Sequence, residues 1–92
     1  MLQFSTNVLR HSAQWTTNEE MSMQITGFPA HAVLNVNEGY EVLHFVNRYM
    51  AYRGWFSEIT FNKIESVLKT RIPFGITTHK DIKEWLDANF KR

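Results

Sequence analysis

The chain has 92 residues, a mass of 10.9 kDa and a formal net charge of +1, and hydrophobic residues make up 43% of it. This length predicts a single domain over residues 1–92, and the composition is typical of a folded chain. The absence of cysteine excludes disulfides, thiolate zinc sites and cysteine nucleophiles. No apolar run reaches the roughly 18 residues of a membrane span, and the N-terminus lacks the pattern of a signal peptide, so we expect a cytoplasmic protein without a membrane partner.

The first third of the sequence favours β-structure. Apolar and polar residues alternate over 2–6 and 21–26, as in half-buried strands, and a return strand is predicted over 32–36. The segment 10–17, which carries Trp15, is ambiguous and could add one more strand. We therefore predict an α+β fold, in which a small N-terminal antiparallel β-meander of three or four strands precedes three α-helices packed on one face.

The first predicted helix follows a change of hydrophobic period from two to about 3.6 residues. Asn35 and Glu38 have the spacing of a capping box, so we predict a helix over 38–53 that Gly54 terminates. Its apolar arc is about 180° wide, more than one partner requires. We therefore expect the sheet to cover one side of this helix and another helix to cover the other.

The second predicted helix spans 58–70. Ile64 and Val67 share its apolar face, and Glu65 and Lys69 have the spacing of an i,i+4 ion pair. Proline and glycine in the segment 72–76 end the helical pattern before the last element.

The third predicted helix spans 79–90. Thr78 and Asp81 resemble a capping box at its start, and Lys83 and Asp87 are spaced for an i,i+4 ion pair on its polar side.

Catalytic and metal-binding motifs are absent from the sequence. The four histidines have no helical chelating spacing, and there is no glycine-rich phosphate loop, so we expect no metal and no cofactor. The nearest polar constellation is Glu41, His44 and Arg48, on one face of the first predicted helix. It is compatible with a general base beside an anchoring arginine, but a solvated salt-bridge ladder is the more common meaning of such a pattern. We therefore expect a protein that is not an enzyme.

The aromatic residues carry the leading functional hypothesis. They make up 14% of the chain, more than a core of this size is expected to bury. Helical periodicity assigns several of them to the core, but five lie at helix ends or turns: Trp15, Phe28, Trp55, Phe56 and Phe74. Aromatic side chains are common at interface hot spots. The sequence thus predicts a protein–protein interaction or regulatory domain whose partner is a second copy in a homodimer or a larger protein.

The charge distribution supports an alternative hypothesis, nucleic-acid binding. Residues 1–46 contain one arginine against four glutamates, whereas residues 47–92 contain nine basic residues against five acidic ones. The candidate phosphate-binding residues are Arg48, Arg53, Lys63, Lys69, Arg71, Lys80 and Lys83. In a helix-turn-helix, the helix that begins at His79 would be the reading helix. The long link before it and the acidic residues on it argue against that arrangement.

Overall fold

The structure, a computed structural model, describes residues 27–90. Their regular elements are three α-helices, which we call α1 (Gly39–Arg53), α2 (Glu58–Thr70) and α3 (His79–Asn89). The described residues form no β-strand, so the predicted α+β fold with an N-terminal β-meander is wrong, and this part of the chain is helical. The strands predicted within residues 1–26 lie outside the described residues.

The segment 32–36 is irregular rather than a strand. A single antiparallel bridge joins Val33 to Thr78, and the Leu34 N–H donates to the carbonyl of Thr77 at 2.8 Å. The alternation in the sequence is reflected in the burial of Leu34 and the exposure of Val33. A strand also needs an extended partner that is long enough to pair with it. The partner here is only the short link that precedes α3. One bridge is therefore all that forms among the described residues.

Helix α1 follows its prediction closely except at its N-terminus. The capping box at Asn35 is wrong, because the Asn35 Oδ1 accepts a hydrogen bond from the N–H of Asn37 at 3.0 Å in a local turn. The helix then begins at Gly39, after an N-cap residue, Glu38, whose side chain makes no capping hydrogen bond. Its C-terminus is as predicted, because Gly54 has a φ of 75°, in the left-handed region that ends helices.

Helix α1 is the central element of the described chain. It is buried around most of its circumference, as its wide apolar arc predicts, and only its last turn is largely exposed. The described residues include no sheet to cover it, so α2, α3 and the irregular segment 27–38 pack against it within the described range. The apolar core consists of Leu34, Val42, Leu43, Phe45, Val46, Tyr49, Met50, Trp55, Phe61, Ile64, Val67, Leu68, Ile82, Leu86 and Phe90.

Helix α2 has the predicted bounds. It begins after Ser57, whose side chain accepts a hydrogen bond from the N–H of Ile59 at 3.2 Å. Its inward face contributes Phe61 and Ile64 to the core. Glu65, which the sequence places in an i,i+4 pair with Lys69, lies completely buried rather than on the surface.

Helix α3 confirms its predicted cap and its predicted ion pair. The Thr78 hydroxyl accepts from the N–H of Asp81 at 3.1 Å, and the Lys83 Nζ lies 3.0 Å from Asp87 Oδ2. The apolar side chains of Ile82 and Leu86 face the core.

Asp87 connects α3 to α1. Its Oδ1 accepts hydrogen bonds from the Tyr49 hydroxyl at 2.9 Å and from Arg53 Nη1 at 3.1 Å. Burial raises the pKa of Asp87, but the hydrogen bonds from Lys83, Tyr49 and Arg53 outweigh that effect and hold the pKa below its usual value. The carboxylate therefore stays charged at neutral pH and holds the two helices together.

Candidate functional site

Two of the five candidate aromatic residues pack into the core or against it: Trp55 is a core residue, and Phe28 is partly buried against the core. The Schellman turn at Gly54 directs Trp55 inward, and the Trp55 N–H donates to the carbonyl of Met50 at 2.9 Å. The Trp55 ring is buried and lies 5.7 Å from that of Phe90. Phe28 packs edge-on against Phe45 at 5.7 Å. The residue after a helix-terminating glycine often contacts the helix it follows, so the sequence contains a signal for the burial of Trp55.

The remaining candidates differ from this pair. Phe56 has 71% of its surface exposed, and Phe74, in the link between α2 and α3, is fully exposed. Trp15 lies outside the described residues. Of the five candidates, only these two are exposed within the described chain, where Tyr52 is a third exposed aromatic side chain.

Phe56 lies at one end of a surface that we call the α2 outer face, formed by Phe56, Ile59, Lys63, Ser66 and Thr70. The last four are spaced four, three and four residues apart, so they lie on one side of the helix, opposite the buried residues. Ile59 is 69% exposed. A signal for this exposure is present in the sequence, because the four-residue spacing from Lys63 places Ile59 on the polar side of α2.

A pocket of about 280 Å³ lies where the outer face of α2 meets α3. We call it the α2–α3 pocket. It is lined by Lys63, Ser66, Val67, Arg71, Trp85, Asn89 and Phe90. Both charged residues of the lining, Lys63 and Arg71, are cationic and exposed, and neither has an ion-pair partner among residues 27–90. The pocket thus combines an apolar wall with two available positive charges.

Most other candidate basic residues have partners within the chain. Arg53 pairs with Asp87 at 3.1 Å, and Lys83 pairs with the same carboxylate. Lys80 lies 3.9 Å from Glu84 on the same helix. Lys69 is only partly exposed.

Arg48 also points into the protein. Its Nε donates to the Gly27 carbonyl at 3.1 Å, and its Nη2 lies 2.9 Å from His79 Nδ1. The polar group predicted from Glu41, His44 and Arg48 is therefore not a solvated ladder, because His44 is also buried. Because α1 is central in the described chain, the part of the helix that carries these residues has no fully solvent-exposed face.

The buried contact between Arg48 and His79 is unsuited to general base catalysis at neutral pH. Burial, followed by the positive charge of Arg48, lowers the pKa of His79 to about 4. The neutral imidazole accepts at Nδ1 from the guanidinium, which places its proton on Nε2. Only 1% of His79 is exposed, so a substrate in solvent has no access to it.

The N-terminus of α3 is also occupied by the chain itself. Its first three N–H groups donate to the carbonyls of Ala32 and Pro29 and to the hydroxyl of Thr78, at 2.9 to 3.2 Å. An anion or a phosphate group would have to displace these acceptors. The predicted reading helix thus lacks a free N-terminus, and the first residue of that helix, His79, is buried.

Across residues 27–90 no three acidic or histidine side chains are grouped to hold a metal ion. None of the helices in the described range has the length and apolarity needed to cross a bilayer. No protein family, curated protein or solved structure matches the chain.

Proposed function

We propose that this chain is a small, non-enzymatic protein-interaction domain that contacts another protein through the α2 outer face. The supporting observation is the exposure of Phe56 and Ile59 at one end of a helix whose opposite face builds the core. Phe56 is 71% and Ile59 69% exposed. Burying these exposed fractions in an interface would contribute on the order of 2–4 kcal/mol in total, because complete burial of one large apolar side chain contributes about 1.5–3 kcal/mol. Such contacts are typical of an interface core.

The partner is a second copy or a different protein. A two-fold homodimer presents the same surface from both subunits, so Lys63 of the α2 outer face and Arg71 of the adjoining pocket would face the same two cations of the other copy. Like charges across an interface are unfavourable. The charge of this surface therefore favours a different, acidic protein over the predicted homodimer, in the proposed cytoplasmic setting.

Nucleic-acid binding has less support than protein binding. Arg48, Arg53, Lys80 and Lys83 are engaged within the chain, which leaves few cations available for phosphates. A phosphate-binding surface predicts strong, salt-sensitive retention on heparin. Retention at about 50 mM salt that collapses as salt rises would support nucleic acid as the partner and contradict the proposal.

Site-specific photocrosslinking in the native host tests the proposal. A photoreactive phenylalanine analogue replaces Phe56 or Ile59, and a matched control replaces Asp81, an exposed residue of α3 that belongs to neither the α2 outer face nor the pocket lining. We expect discrete protein adducts from the first two positions, and their loss when Ile59→Asp is combined with the probe at position 56. Adducts no stronger at positions 56 and 59 than at position 81 would refute the interaction surface.

Light scattering separates the two kinds of partner. We expect the purified chain to remain monomeric, since the surface favours an acidic partner. A concentration-dependent dimer that Ile59→Asp abolishes would restore the homodimer and still support an interaction function.

A further inference from the structure

We infer that the α2–α3 pocket receives an apolar anchor side chain from an acidic segment of the partner, with Lys63 and Arg71 pairing with carboxylates beside that anchor. This inference rests on the proposed function and specifies the chemistry of the partner. It follows from the size of the pocket, its charge and its position beside the exposed apolar residues.

The size of the pocket suits a single side chain. Its volume of about 280 Å³ is just below the 300–1,000 Å³ of typical small-molecule sites. The side chains of Val67 and Phe90 are largely buried, and Trp85 is partly buried against the core, so the wall is apolar and supported from behind. Anchor residues of protein interfaces bind in pockets that become desolvated when the partner covers them.

The charge of the pocket selects an acidic segment. Lys63 and Arg71 are its charged residues, and no carboxylate contributes to the lining. Elsewhere on the described surface, Arg53, Lys80 and Lys83 each have an acidic partner. An arginine fork binds a carboxylate with two parallel hydrogen bonds, which favours aspartate and glutamate in the partner.

The position of the pocket links it to the α2 outer face. Lys63 and Ser66 belong to both surfaces, and Ile59 lies one helical turn before Lys63. From Ile59 to Val67 the helix rises about 12 Å, at 1.5 Å per residue. An extended segment of about four residues covers that distance, so one short piece of the partner reaches both Ile59 and the pocket.

Nuclear magnetic resonance titration with defined peptides tests this inference. The probe is a capped hexapeptide with a central leucine–phenylalanine pair and two aspartates on each side, and its control carries lysine in place of every aspartate. We expect the acidic peptide to shift the Trp85 indole N–H and the amides of Lys63, Ser66 and Arg71, and the basic peptide to shift none of them. Equal binding of the two peptides would overturn the inference.

Charge variants provide the matched comparison. Lys63→Glu and Lys80→Glu make the same change of charge on two exposed helical lysines, but only the first lies at the pocket. We expect Lys63→Glu to weaken the acidic peptide about fivefold or more, and Lys80→Glu by less than about twofold. Equal effects of the two substitutions would show that binding follows net charge alone and would overturn the site.

A filling variant tests the pocket without removing core atoms. Ser66 is partly exposed and lines the pocket, so Ser66→Trp places a ring in the space of the anchor. We expect loss of peptide binding with an unchanged urea unfolding midpoint. Unchanged peptide affinity would contradict the proposed anchor position.

The two proposals fail in distinguishable ways. Crosslinks at positions 56 and 59 without a peptide shift at Trp85 would refute the pocket inference and leave the interaction function standing. A crosslinked partner that proved to be a second copy would have the same effect. The absence of crosslinks at both positions would refute the interaction function, and with it the inference.

Discussion

Acidification below pH 6.5 is expected to destabilise the fold through the buried side chain of His79. The imidazole is 1% exposed, and its Nε2 has no hydrogen-bond partner in the described part of the chain. Protonation would also place a second positive charge 2.9 Å from the guanidinium of Arg48. The folded protein therefore resists a proton that the unfolded chain accepts readily.

The magnitude follows from the pKa of His79, which is about 4 in the fold against 6.5 for the ordinary side chain. Below pH 6.5 the unfolded state binds the proton and the folded state does not, so the free energy of unfolding falls as the pH falls. The loss accumulates down to about pH 4 and amounts to about 3 kcal/mol, at 1.36 kcal/mol per unit of pKa difference. This is a large fraction of the stability of a small domain.

Urea unfolding at pH 7, 5.5 and 4 measures this loss. The variant His79→Gln keeps an acceptor for Arg48 but removes the titrating group, so we expect it to lower stability at pH 7 and to flatten the pH dependence between 7 and 4. The control His31→Gln changes an exposed histidine and should keep the full dependence. A slope in His79→Gln equal to that of the parent chain would refute the assignment to His79.

Four further substitutions test the packing described above. Asp87→Asn should lower the free energy of unfolding at pH 7 by about 1–2 kcal/mol, because charge-assisted hydrogen bonds to α1 are lost, and a parent-like urea midpoint would contradict that role. Gly54→Ala should cost about 1 kcal/mol in the same assay, since alanine is strained at a φ of 75°, and a stability gain would show that the turn rearranges. Trp55→Ala should cost about 3 kcal/mol or more in thermal unfolding, whereas Phe56→Ala should change stability by less than about 0.5 kcal/mol; similar losses would contradict the burial assigned to these neighbours.

The helices could be predicted from the sequence because their signals are local. Apolar residues recur every three to four positions within each helix, and Gly54 and Thr78 mark an end and a start that need no distant partner. The predicted strand over 32–36 failed for the opposite reason. Its alternation was correct for Leu34 and Val33, but a strand depends on a neighbour that the sequence does not identify.

The candidate site was less predictable, because it depends on which charges are already paired. Arg53 and Asp87 are 34 positions apart, so their ion pair is a property of helix packing and not of spacing. The sequence could therefore list the basic residues but could not separate Lys63 and Arg71 from the others. The prediction that Arg48 lies on a solvated face of α1 was wrong for a similar reason. Arg48 is in the central part of a helix that other segments of the fold surround.

Main-chain hydrogen bonds join residues 29–34 to the start of α3, and they affect how far the sequence of this segment can diverge. The hydrogen bonds that hold it run between main-chain groups, so they impose little demand on the exposed side chains of His31 and Val33. A library randomised at those two positions should retain the fold in most of its members, whereas proline at position 34, whose N–H is a donor, should not be tolerated. Distant descendants of this chain can thus lose recognisable similarity along that segment and still begin α3 in the same way.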